Sequence, residues 1–182
     1  EREEPPSICE VKIHRDDVIV VGAGGGGGVG DPLRRDPERV AADLREERIS
    51  PQAAREVNGV AVGAAGEVSA PQTEELRQRL RGERLRAAGG EPSRPVDPAA
   101  DPAAPLRGGA EGWSCSACGE PLGGGGDGWR ARALHAERSA AEALAARGQL
   151  LRPRLQGSAV LERSATCPGC GSLLAVEIAT AG

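Results

Sequence analysis

The sequence predicts an α+β chain: a small N-terminal unit of strand, turn, strand and helices, a flexible linker, and a cysteine-bearing C-terminal module on short strands. Three observations predict it. Large aromatics are nearly absent, with no Phe or Tyr and two Trp, so any core must be made from Val, Ile, Leu and Ala. Gly at 27 and Pro at 14 of 182 residues point to long irregular stretches. Two C-x-x-C pairs stand far apart in the C-terminal half. Small aliphatic cores often need a metal or a partner to be stable, so two small ordered units fit better than one compact domain.

Residues 1–63 are expected to form the first unit. Val11 and Ile13 alternate with polar neighbours, Asp16-Asp17 makes a polar turn, and residues 18–21 read as a second strand. The glycine-rich run 22–30 follows, where regular structure is disfavoured because each Gly costs about 0.5–1 kcal/mol relative to Ala. Asp36 before Pro37 is an N-cap with Pro at the first helical position, and Val40, Ala41 and Leu44 supply the apolar stripe of a helix over 37–48. Ser50-Pro51 repeats the signal for a helix over 51–57, Asn58-Gly59 stops it, and 60–62 reads as a final strand.

Residues 64–110 read as a Pro/Gly/Ala-rich linker. Within it, 71–86 is helix-compatible, with Leu76, Leu80 and Leu85 on a narrow stripe. The remainder, through Pro92, Pro95, Pro98, Pro102 and Pro105, is too poor in apolar residues to order itself. The third segment, 111–182, is expected to hold an Ala-rich helix over 129–147, a strand at 159–162 and a closing strand at 173–178.

A formal charge of −4, with both signs interspersed, offers no footprint for a phosphate backbone, so nucleic acid is not an expected partner. No apolar run is long enough to span a bilayer, and the longest, 18–21, covers only a strand. No secretory leader is evident, and cysteines in C-x-x-C pairs read as metal ligands in a reducing compartment, so the expected location is cytoplasmic. Cys9 stands outside the pairs and reads as a free thiol.

Cys115-Ser116-Ala117-Cys118-Gly119 and Cys167-Pro168-Gly169-Cys170-Gly171 are two copies of one device. A two-residue spacer lets a tight turn aim both thiolates at one ion, and the Gly after the second Cys can take positive φ. Brought together across 48 intervening residues, Cys115, Cys118, Cys167 and Cys170 make a tetrahedral sulfur site. Four sulfurs leave no open coordination position, so the site is expected to be structural, with no catalytic residue. Zinc is the preferred ion because nothing else in the chain suggests electron transfer; iron takes the same ligands.

His135, between the pairs, could replace a ligand, but it reads better as a surface or partly buried helix histidine. Trp113 and Trp129 flank the first pair and are expected to cover the metal. The glycine run follows a strand, as phosphate cradles do, but it lacks a Gly-Lys-Ser or Gly-Lys-Thr ending, and Asp31-Pro32 stands where a nucleotide-binding helix would start. It reads better as a loop packing closely on a neighbouring chain. Asp16-Asp17 and Glu46-Glu47 are adjacent pairs that diverge on a strand or helix, and two histidines assemble no catalytic constellation.

The stretch from Val18 to Val62, with Gly-Gly-Gly-Gly-Val-Gly-Asp-Pro-Leu, Arg-Asp-Pro-Glu and Ser-Pro-Gln-Ala-Ala-Arg-Glu-Val-Asn-Gly-Val in order, resembles the C-terminal end of hydantoinase B / 5-oxoprolinase subunits over about a quarter of the chain. Val29 and Asn58 stand where that pattern carries Tyr. The stretch from Leu161 to Ile178 around the second cysteine pair is similar to the zinc-bearing gamma subunit of acetone and acetophenone carboxylases. Together the resemblances imply a non-catalytic accessory or terminal region of a multi-subunit, ATP-dependent carboxylase or hydantoinase-type enzyme acting on ketones or cyclic amides. They imply hydantoinase A-like and B-like large subunits as partners and a structural zinc. The alternative is a free-standing zinc-ribbon interaction module.

Overall fold

The computed structural model describes residues 28–109, 112–145 and 160–180, together with Lys12, His14, Arg15, Asp16 and Val18. Arg15 and Asp16 lie in a turn. Most of the strand-turn-strand expected over 9–21, with Cys9, and the glycines at 22–27 lie outside the described residues. What is described is α+β: helices first, then two antiparallel three-stranded sheets with the cysteines at their junction.

The caps read from the sequence act where they were expected. Asp36 accepts from the Glu38 amide at 2.9 Å and starts α1 (Pro37–Arg45). Ser50 accepts from the Ala53 amide at 3.0 Å and starts α2 (Pro51–Glu56). Helix α1 stops short of the expected residue 48 for a local reason. Glu47 takes a left-handed φ of 55°, the Arg48 amide reaches back to the Asp43 carbonyl (2.9 Å), and the Glu47 amide to that of Leu44 (3.1 Å). That is a Schellman closure with Glu where Gly is usual. Val40, Ala54 and Val60 form the small core of this part, with Leu44, Ile49, Val62 and Val68 packed around them.

The strand expected over 60–62 is reduced to one bridge between Val62 and Val68. A turn at 63–66 brings the chain straight back, and the Ala61 amide is taken by the Thr73 hydroxyl at 3.1 Å, so no ladder can extend. Within the expected linker, helix α3 runs over Ala70–Ala87, slightly beyond the predicted limits. Its inward face carries Leu76 and Leu85, but also Arg77, Arg81 and Gly82. Burial there depends on main-chain acceptors as well as on apolar contact: Arg77 Nε donates to the Asn58 carbonyl at 3.3 Å. None of the helices among the described residues is long and apolar enough to cross a membrane.

The first sheet joins β1 (Leu106–Gly109), β2 (Gly112–Cys115) and β3 (Pro121–Gly123) in that order. The second joins β4 (Leu134–Ser139), β5 (Val160–Thr166) and β6 (Leu173–Thr180). Strand β4 corrects the Ala-rich helix expected over 129–147. Gly126–Ala131 is a short 3-10 helix, Leu134–Ser139 pairs residue for residue with β5, and only α4 (Ala140–Ala145) is α-helical. Helix propensity is a weak prior. Here six ladder positions and two cross-strand ion pairs, Arg138 with Glu162 and Arg163 with Glu137, outweigh it. Ser139 and Glu142 then form a reciprocal capping box at 3.1 Å each way, which switches strand to helix at one residue.

The left-handed Glu47 yields a direct test. A Cβ in that region costs about 1 kcal/mol or more, so Glu47→Gly is expected to raise stability by about 0.5–1 kcal/mol. The measurement is the urea midpoint at unchanged slope.

Candidate metal centre

Each sheet delivers one cysteine pair. Cys115 ends β2 and Cys118 follows in the turn to β3; Cys167 follows β5 directly and Cys170 lies in the turn to β6. The two turns are copies of each other. The amide of the first Cys donates five residues on, Cys115 to the Glu120 carbonyl and Cys167 to that of Ser172, both at 2.9 Å. The amide of the Gly donates back to the first Cys, Gly119 to Cys115 at 2.9 Å and Gly171 to Cys167 at 3.0 Å. This closure needs positive φ, and Gly119 (72°) and Gly171 (76°) supply it.

The two knuckles meet. Cys115 Sγ and Cys170 Sγ are 3.9 Å apart, Cys118 Sγ and Cys167 Sγ 3.6 Å, and all four sulfurs lie within 4.8 Å of one another. Sulfurs at about 2.3 Å from a tetrahedral ion are about 3.8 Å from each other. The donor set therefore fits a structural metal site. Four sulfurs complete a four-coordinate shell, which leaves no position for water or substrate. Trp129, Leu122, Ala165 and Leu174 are buried with the cysteines, and Trp113 packs against the same cluster, so both tryptophans do flank the site as expected. His135 is not part of it: it stands exposed on β4, its Nε2 2.8 Å from the Arg130 carbonyl oxygen.

Crowding makes these thiols share protons unequally. Hydrogen bonding with Cys115, and then with Cys118 and Cys167, holds the Cys170 thiol below the ordinary range. The Cys167 thiol is pushed up, chiefly by its hydrogen bond with Cys115, and the Cys118 thiol is raised from the same first cause. Four thiolates this close repel one another, so without a cation some stay protonated. A divalent cation displaces those protons, and its affinity must fall as pH falls.

Two groups of residues that the sequence reading passed over hold the knuckles in place. The first is a strap inside the expected linker. The amides of Ser93 and Arg94 both donate to the Gly169 carbonyl (2.8 and 2.9 Å), and the Asp97 amide donates to that of Ala117 (2.7 Å). One short stretch thus stitches the tip of one knuckle to the tip of the other, with Val96 packed on the cysteine cluster. The linker prediction rested on apolar content alone, whereas these residues are ordered by knuckle carbonyls.

The second is Asp31, read from sequence only as part of the Gly-Asp-Pro motif, where a nucleotide-binding helix would otherwise start. Its carboxylate is buried and accepts from the Leu33 amide (3.1 Å), the Leu173 amide (2.9 Å) and both terminal nitrogens of Arg84 (2.9 and 3.2 Å). Arg84 also donates to the Gly171 carbonyl at 2.9 Å. The end of the glycine run is therefore fastened to the second knuckle. Gly30, at φ 78°, lies against the Pro102 carbonyl, where any Cβ would collide. In the described part of the run, Gly30 packs on this chain itself, whereas a Cβ on Gly28 would meet nothing within 4 Å.

Three tests follow from this geometry. Cys170→Ser and Cys115→Ser are expected to lose the metal, and His135→Ala to keep about one ion per chain, as read by elemental analysis. Affinity should fall about tenfold per pH unit for each proton displaced, with proton release seen on titrating metal into weakly buffered chain. Asp31→Asn leaves the Arg84 guanidinium and the Leu173 amide without their full set of acceptors in a buried place. It is expected to cost about 3 kcal/mol and to weaken metal retention against a chelator.

Compared with models of protein families, with curated proteins and with solved structures, the chain matches none of them.

Proposed function

We propose that the chain is a non-catalytic accessory or terminal region of a multi-subunit, ATP-dependent carboxylase or hydantoinase-type enzyme, braced by one structural zinc on Cys115, Cys118, Cys167 and Cys170. One observation carries this reading. The Gly-Asp-Pro motif that resembles hydantoinase B and the second cysteine knuckle that resembles the carboxylase gamma subunit touch through Asp31, Arg84 and Leu173. Two motifs that resemble subunits of one enzyme group thereby pack against each other, which supports the reading. Zinc suits the role because it offers no redox chemistry and accepts four thiolates without geometric strain.

A four-sulfur shell has no open position, and Gly30 packs on the Pro102 carbonyl. Both support a structural rather than a catalytic part. Val176 and Ile178, 44% and 69% exposed on β6, favour a chain that meets a larger partner. The same two residues also suit the second reading, a free-standing zinc-ribbon protein-interaction module.

Co-expression with hydantoinase A-like and B-like subunits separates the two. The chain is expected to coelute with them in size-exclusion chromatography, to carry about one zinc, and to hydrolyse no ATP alone. Elution as a monomer beside those subunits leaves the interaction module standing, and ATPase activity of the isolated chain defeats both.

A further inference from the structure

We propose that Cys118 is a peroxide-sensitive thiol and that its resolving partner is Cys167, so that oxidation replaces the metal cross-link between the knuckles by a disulfide. The inference rests on the metal reading above for its consequence, but the thiol pairing stands on geometry alone.

The two knuckles share a fold and differ in surroundings. Cys115, Cys167 and Cys170 are 1%, 0% and 2% exposed, whereas Cys118 is only partly buried. The glycine that follows each pair reports the same asymmetry. A Cβ on Gly119 would meet nothing within 4 Å, while one on Gly171 would press on the Arg81 carbonyl at 2.7 Å. The first knuckle is open on the Cys118 side, and the second is packed under α3. With a cation bound all four sulfurs are thiolates, so access separates them, and an oxidant from solvent reaches Cys118 first.

A partner thiol lies across the site, on the other knuckle. Cys118 Sγ is 3.6 Å from Cys167 Sγ, so closing to a bond of about 2.05 Å needs a shift of about 1.5 Å. The strap through Ser93, Arg94 and Asp97 holds the two tips at that separation from outside the site. In the reaction, the Cys118 thiolate attacks one oxygen of hydrogen peroxide. An S–O bond forms, the O–O bond breaks, and the leaving hydroxide takes a proton to become water. The Cys167 thiolate then attacks the Cys118 sulfur. The S–S bond forms, the S–O bond breaks, and the second oxygen leaves as hydroxide and becomes water with another proton. Each sulfur is oxidised by one electron and each peroxide oxygen reduced by one. With two of four anionic ligands consumed, the ion is released, yet the knuckles stay joined until a thiol reductant restores the site.

The test uses the whole chain, loaded with zinc, treated with hydrogen peroxide, alkylated and mapped by mass spectrometry. The expected main product links Cys118 to Cys167, with one zinc released per disulfide and both reversed by dithiothreitol. A main product within one knuckle, or one that involves Cys9, overturns the proposal. The same mapping on chelator-stripped chain separates the two ideas. If the untreated chain carries no metal and the Cys118–Cys167 link still forms, the metal reading fails and the pairing stands. In Cys167→Ser, dimedone should label Cys118 at least tenfold over Cys115 and Cys170; equal labelling overturns Cys118 as the attacked thiol.

Discussion

The convergence of four thiols within 4.8 Å is the constraint on which the rest of this structure depends. Like charges at that distance are tolerable only around a cation, and protonated thiols alone give little cohesion. The aliphatic residues buried with them are few among the described residues, Leu122, Leu174 and small alanines, with Trp129 buried and Trp113 packed alongside as the large contributors. A core of this size is weak without a cross-link. An ion held by the four sulfurs would do the work that Phe and Tyr do in other small domains, since each three-stranded sheet carries one of the two cysteine pairs.

Around that centre the chain satisfies buried polar groups with great economy of side chains. Knuckle carbonyls at Ala117 and Gly169, left facing outward by the tight turns, are taken by amides of the strap. The carbonyl of Gly171 and the amide of Leu173 are taken by Arg84 and Asp31. Helix α3 supplies Arg77 to the Asn58 carbonyl and Arg84 to the knuckle, so one helix ties the aliphatic core near Val40 to the sulfur core near Cys170. Arginine suits this task because its planar fork donates in several directions while its stem packs on apolar neighbours. Burial of the Arg77 guanidinium, with Arg81 nearby, depresses its pKa, which is the electrostatic cost of such a tie.

The sequence was most legible where the chemistry is local. The capping residues Asp36 and Ser50 bond amides two or three positions away, and the knuckles close within five residues. In those cases residue type and spacing determine the conformation. The Ala-rich stretch after Trp129 misled because its helix propensity is small beside a six-residue ladder to β5, a strand more than twenty residues further on.

By itself the sequence determined the α+β class, the starts of α1 and α2, and the four thiols that cluster, with their positive-φ glycines. Each follows from covalent geometry or from partners within a few residues. Only the tertiary structure decided that a Pro-rich stretch becomes a strap, that β4 is a strand, that Cys118 is partly buried while Cys167 is fully buried, and that Asp31 is a buried anchor. Those depend on contacts over long separations, 142 residues between Asp31 and Leu173, where burial turns an ordinary carboxylate into a joint between two halves of the fold. A one-dimensional pattern carries no record of which distant amide or guanidinium will be there to meet it.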